Sequence, residues 1–143
     1  RQIFAVMDIT APLYWWKEFD TYKVGTTANS CSTMHKIAAN EFSIEDFSDE
    51  HLETGWLACL DDTIIPLLNR ARTKFIATKD KRYWWQMIQL LPSSYNQRRT
   101  VSMTYENVMN MLDYREGHKL DEWREFCKIL KQLPYVEEIR DGR

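Results

Sequence analysis

Cysteine, glycine and proline are scarce in this chain: three, four and four among 143 residues. Cys31, Cys59 and Cys127 are odd in number, far apart and without a CxxC pair. That argues against a disulfide framework and fits a reducing compartment, the cytoplasm. Four unclustered glycines leave no Gly-rich phosphate loop. No apolar run approaches the ~20 residues of a membrane span and no signal peptide is visible, so no membrane partner is expected. An excess of one charge is missing too. The 19 basic and 21 acidic residues are spread along the chain for a net −2, without the basic face of a nonspecific nucleic-acid binder. Arg1 in place of an initiating Met fits an excised or incomplete fragment.

What the chain does contain is apolar and aromatic mass: 44% hydrophobic residues, 13% aromatic, six of them Trp. A single domain over residues 1–143 would bury roughly 70% of the surface its unfolded chain exposes. Alternation over residues 2–9 predicts a strand covered on both faces. Pro12 then suits the first position of a helix carrying Trp15, Trp16, Phe19 and Tyr22 on one stripe, with Gly25 ending it near Val24. A short helical piece is expected from Met34 to about Asn40, and an irregular acidic segment over residues 41–48. Ser48 reads as the cap of a helical region reaching Thr78, which Pro66 should kink or divide. A further helix is expected over Tyr83–Leu91, with Trp85 lining a pocket or finishing the core. Residues 96–104 alternate as a strand with one polar face, and Thr104 suits the cap of a helix over residues 105–114. His118–Leu133 is the clearest helical pattern. Strand, helices, strand, helices is the order of an α+β domain.

The stretch after Gly25 is unlike the rest. Thr26, Thr27, Asn29, Ser30, Ser32 and Thr33 make a polar loop whose hydroxyl and amide groups suit a phosphate, a nucleobase or a flavin ring. The same residues also suit turns and the cap of a helix at Met34. Lys23 beside this loop and Arg115 just before Gly117 are the candidates for an anion site. Arg98 and Arg99 lie on opposite faces of their strand, so at most one can join it. Metal binding has little support, because His35, His51 and His118 share no tight motif with the cysteines. Cys31 would need His35 as its activating base, and only a helical turn between them would bring the two together.

Three segments, APLYWWKEFDTYKVGTTANSCSTMH, LLPSSYNQRRTVSMTYENVMNMLDYR and HKLDEWREFCKIL, resemble in order and spacing the flavin-dependent thymidylate synthase family. They are similar to that family's Pro-led helix with its Arg-His-Arg stretch, its Leu-Pro turn with strand and helix, and its final His-led helix. Thr21, Tyr22 and Lys23 stand where the family has Arg-His-Arg, and Glu18 stands where it has a substrate-side Gln. Thr104 and Glu106 replace an Asn and an Arg used for flavin. The resemblance implies that family's α+β fold, an antiparallel sheet packed with several helices, in a cytoplasmic homotetramer. It implies FAD as cofactor, deoxyuridine monophosphate (dUMP) as substrate and methylenetetrahydrofolate as carbon donor, with no protein nucleophile. Lys23, Ser30, Ser32 and Arg115 would bind substrate, and Tyr22, Thr26, Asn29 and Asn110 the cofactor. The alternative is a noncatalytic member that keeps the fold as a nucleotide-binding or assembly protein.

Overall fold

The computed structural model describes residues 2–30 and 33–143, the side chains of Ser30 and Thr33 excepted. Within it the chain forms two compact units. The first comprises residues 1–10, 15–30 and 98–143, the second residues 11–14 and 31–97.

A three-stranded antiparallel sheet belongs mainly to the first unit, in the order β1 (Phe4–Pro12), β3 (Asn96–Thr104), β2 (Thr26–Ser30). β3 occupies the residues its alternation marks. Val101 and Met103 are fully buried on one face. On the other, Thr100 Oγ1 donates to Asp8 Oδ1 at 2.6 Å and Arg98 Nη2 to Asp8 Oδ2 at 2.6 Å. β1 differs from its expected cover: Ala5 is buried, but Phe4 and Val6 are 61% and 69% exposed. An edge strand of a small sheet has apolar residues enough for two covered faces and receives cover on one.

The polar run after Gly25 is not a loop. It pairs antiparallel with β3 from Thr26 opposite Met103 to Ser30 opposite Arg99. Thr, Asn and Ser carry no alternating apolar signal, so the strand exists because β3 offers its hydrogen-bonding edge. Helix α1 (Leu13–Phe19) starts after Pro12 and stops well before Val24. Its first N–H groups, on Leu13 and Tyr14, donate to the Tyr95 and Ser93 carbonyls, which leaves Pro12 in the strand. Trp15, Trp16 and Phe19 are buried as their stripe requires.

Helix α6 (Tyr105–Arg115) follows β3, with Thr104 Oγ1 accepting the Asn107 N–H as expected of an N-cap. α7 (Asp121–Lys131) buries Trp123, Phe126, Cys127 and Leu130. It begins three residues after His118, because His118 Nδ1 accepts the Leu120 N–H and holds that segment as a turn. A short α8 (Val136–Asp141) follows, a helix the sequence pattern did not reveal. Glu116 pairs with Lys131 and Arg140, tying the ends of these helices together.

In the second unit α2 (Thr33–Lys36) and a 3₁₀ turn (Ile44–Asp46) precede the long helical region. That region begins at Thr54, not at Ser48. Ser48 is committed elsewhere: its N–H donates to the Ser94 carbonyl and its hydroxyl to Asn96 Oδ1. α3 (Thr54–Ala58) runs into a π-helical segment (Cys59–Ile64) and then α4 (Ile65–Thr78). Pro66 sits in the first turn of α4, where its missing N–H costs least, so the expected division is a change of helix type. α5 (Lys81–Leu90) is capped by Asp80, which accepts the Arg82 N–H. Leu68 and Met87 are fully buried in this unit's core, with Phe42, Phe47, Ile37 and Leu60 around them. Trp85 does not fill the core; it is 43% exposed, edge-on to Trp84. No helix among the described residues is long and apolar enough to cross a membrane.

Candidate functional site

α1 places Glu18 beside its buried Trp and Phe residues but on the helix's rim, one-third exposed. α6 ends on Arg115, a cation at the end of the helix dipole that favours it. The two meet: Arg115 Nη1 donates to Glu18 Oε2 at 2.7 Å, and Arg115 Nε donates to the Tyr22 hydroxyl at 3.1 Å. The guanidinium lies 4.9 Å from the Trp123 ring centroid and 5.7 Å from that of Tyr22, a cation held against aromatic surface. His118 Nε2 approaches the same Glu18 oxygen at 3.0 Å. Because His118 Nδ1 is the acceptor for Leu120, the ring proton belongs on Nε2 and is donated to Glu18. The positive charge of Arg115 is therefore matched from within the chain.

The second feature is a cavity of 310 Å³ where the start of β2 meets α6, lined by Val24, Gly25, Thr104, Glu106, Asn107 and Asn110. Gly25 has φ +74°, and a Cβ there would sit 2.9 Å from Thr104 Oγ1. Its carbonyl accepts the Thr104 N–H. Asn107 is buried, its Nδ2 donating to the Val24 carbonyl at 2.5 Å and to Thr26 Oγ1 at 2.8 Å. Asn110, three residues on and on the same helix face, is half-buried, and its amide bonds no described residue.

The structure thus brings Tyr22 to Arg115, and Thr26, through Asn107, to the cavity that Asn110 lines. Lys23 is exposed and forms no ion pair among the described residues. Asn29 is exposed and pairs with Thr100, on the sheet face opposite the one Thr26 shares with Met103. Ser30 is known here by its backbone pairing with Arg99 alone, and Ser32 lies outside the described residues. Sequence reasoning left His118 and Asn107 out of the site, and reached Glu18 only through the resemblance, as the residue in place of a substrate-side Gln. Asn107 carries a signal that can be read, an amide at i, i+3 from Asn110 inside an apolar helix face.

Burial pushes the Cys127 thiol up to about 11, which makes it no nucleophile. Cys31, the nucleophile weighed from the sequence, lies outside the described residues. No group of three or more His, Cys, Asp or Glu that can hold a metal occurs among the described residues.

The fold has solved counterparts. The crystal structure of flavin-dependent thymidylate synthase ThyX from Helicobacter pylori, complexed with FAD and dUMP, superposes with a TM-score of 0.65 over 96% of this chain and 70% of that one. The chain has the fold of the flavin-dependent thymidylate synthases. A second structure of ThyX from Helicobacter pylori with FAD and dUMP agrees, at a TM-score of 0.64 with the same coverage. Sequence identity is only 16% and 15%, so the likeness lies in the backbone course. No protein-family model and no curated protein matches the sequence.

Proposed function

We propose that this chain binds a flavin nucleotide, FAD, in the cavity beside α6, and a pyrimidine nucleotide at the Arg115 cluster. The observation that carries the reading is the half-buried Asn110 amide, which lines that cavity and bonds no described residue, in a chain whose fold is that of enzymes solved with FAD and dUMP. The lining fits the ring of a flavin, whose edge of carbonyl and N–H groups is complementary to a side-chain amide. Asn110 would orient that ring, while Asn107, held by Val24 and Thr26, fixes the wall. For the phosphates, exposed Lys23, next in the chain to the lining residue Val24, would supply positive charge, and the Glu106 carboxylate in the lining would oppose an anion. On this reading the activity is reductive methylation of dUMP to dTMP with methylenetetrahydrofolate, in a cytoplasmic homotetramer. Once bound and reduced by an external two-electron donor, the flavin would supply hydride for the pyrimidine ring and return to FAD, and no protein nucleophile would be required.

A second reading is favoured by the internal pairing of Arg115 with Glu18: a noncatalytic nucleotide-binding or assembly protein on the same fold. Titration with FAD, followed in the visible range, separates the two when coupled to an assay of dTMP formation. Stoichiometric uptake with dTMP formed supports the synthase. Uptake without dTMP supports the second reading, and no uptake overturns the flavin proposal. Asn110→Ala should weaken FAD about fivefold, the loss of one hydrogen bond of ~1 kcal/mol.

A further inference from the structure

We propose that the closed end of the α4–α5 hairpin is a docking surface for an anionic lipid bilayer, which the protein meets from one side without crossing it. The inference does not depend on flavin or nucleotide binding. A chain with no membrane-spanning helix among its described residues can still lie against a headgroup layer.

α4 and α5 pack against each other and are joined by Lys79 and Asp80 alone, with Lys79 at φ +57° turning the chain back. Positions 70–82 hold six basic residues and one acidic, in a chain of net −2. The one carboxylate, Asp80, is spent on Arg82, from which it accepts the backbone N–H, Nε and Nη2. Lys74, Lys79 and Lys81 meet no carboxylate among the described residues. Their ammonium groups lie over rings instead: Lys74 is 5.5 Å from the Tyr83 centroid, Lys79 is 5.7 Å from that of Phe75, and Lys81 is 5.7 Å from those of Trp84 and Trp85. Stems laid along aromatic surface hold the charges at the water side. Elsewhere Arg98, Arg99, Lys131 and Arg140 each have an acidic partner, so this corner carries a local excess of positive charge.

Charge alone fits any polyanion, and the side chains between the cations narrow the choice. Ile76 and Trp85 are each 43% exposed, within about one helical turn of the connector on either side. Apolar and aromatic side chains interleaved with lysines suit the boundary between headgroups and acyl chains, whereas a soluble polyanion would leave them against water or charge. Single-stranded nucleic acid needs free ring faces for its bases, and here the rings of Phe75, Tyr83 and Trp84 already carry cations. The end of a helical hairpin is convex and suits a plane, while peptides are held in grooves or along sheet edges.

The test is vesicle flotation of the whole chain, with vesicles of phosphatidylcholine alone and of phosphatidylcholine mixed with phosphatidylserine. Wild type should float with the mixed vesicles at low ionic strength, stay behind with phosphatidylcholine alone, and be released as added salt shortens the Debye length. Lys74→Gln, Lys79→Gln and Lys81→Gln should each weaken the partition about fivefold, the loss of one cation near the surface. Lys119→Gln, the same change at an exposed lysine outside the hairpin, should leave it unmoved. Ile76→Ser should weaken it as well, a loss that docking through the cations alone would not register. Absence of flotation with the mixed vesicles overturns the proposal, as does equal flotation with phosphatidylcholine, or a loss from Lys119→Gln as large as that from Lys79→Gln. Inorganic polyphosphate or polyglutamate bound in preference to the mixed vesicles, and unaffected by Ile76→Ser, identifies a soluble partner and overturns the lipid assignment. The wild-type measurements decide the matter even if a variant is unstable.

Discussion

Gly25, Asn107 and Thr104 show how single residues set the geometry of the candidate cavity. Gly25 holds a left-handed φ while its carbonyl takes the Thr104 N–H, and the Thr104 hydroxyl and Asn107 amide close over its missing side chain. Gly25→Ala adds both a strained φ and a Cβ at 2.9 Å from Thr104 Oγ1. It should cost about 1–3 kcal/mol in a urea-unfolding experiment, and should weaken FAD more than Asn110→Ala does because it moves the wall. From the sequence Gly25 reads as a helix terminator. That it is glycine for a left-handed backbone is legible, but the close approach of Thr104, 79 positions away in the chain, is not. Arg115 and Glu18 repeat the lesson: residue type names a candidate cation, and only the fold shows that its counter-ion is already present.

At the scale of elements, local pattern and tertiary pairing divide the credit unevenly. β3 and α6 form where their patterns lie, α6 under its Thr104 cap, and α7 forms inside its pattern but starts only at Asp121. β2 has no such pattern and owes its existence to the β3 edge. Asp8 links β1 to β3. Hydrogen bonds from Thr100 first and Arg98 second hold its carboxyl below the ordinary 3.8. A depressed folded value means that the contribution of Asp8 is present above about pH 3.8 and is lost as pH falls through the folded value. Urea midpoints of wild type and Asp8→Asn should therefore differ by a constant amount near neutrality and converge in that acid range. A gap that persists to the lowest pH would show that the charge of Asp8 is not what links the strands. The π-helical segment ahead of Pro66 is another element no periodicity announces, since a wider helical register arises from how its flanking turns pack.

At the scale of the whole molecule, each unit has its own fully buried apolar residues: Leu130, Trp123 and Met111 in the first, Leu68 and Met87 in the second. Leu68→Ala and Leu130→Ala should each cost about 2–5 kcal/mol. Native-state hydrogen exchange should register each loss at the slowest amides of the unit that carries the substitution. Equal losses throughout the chain from either substitution would mean that the two cores open in a single step.

The sequence by itself determined the α+β class, the aromatic stripe of α1, the strand at residues 96–104 and the cap at Thr104. These depend on periodicity and on hydrogen bonds reaching only a few residues along the chain. Only the tertiary structure decided that a run of Thr, Asn and Ser is a strand, that one face of β1 stays open, and that Arg115 faces Glu18. Each of those depends on a partner far away in sequence, an unfilled sheet edge or an opposite charge, whose proximity no local pattern encodes.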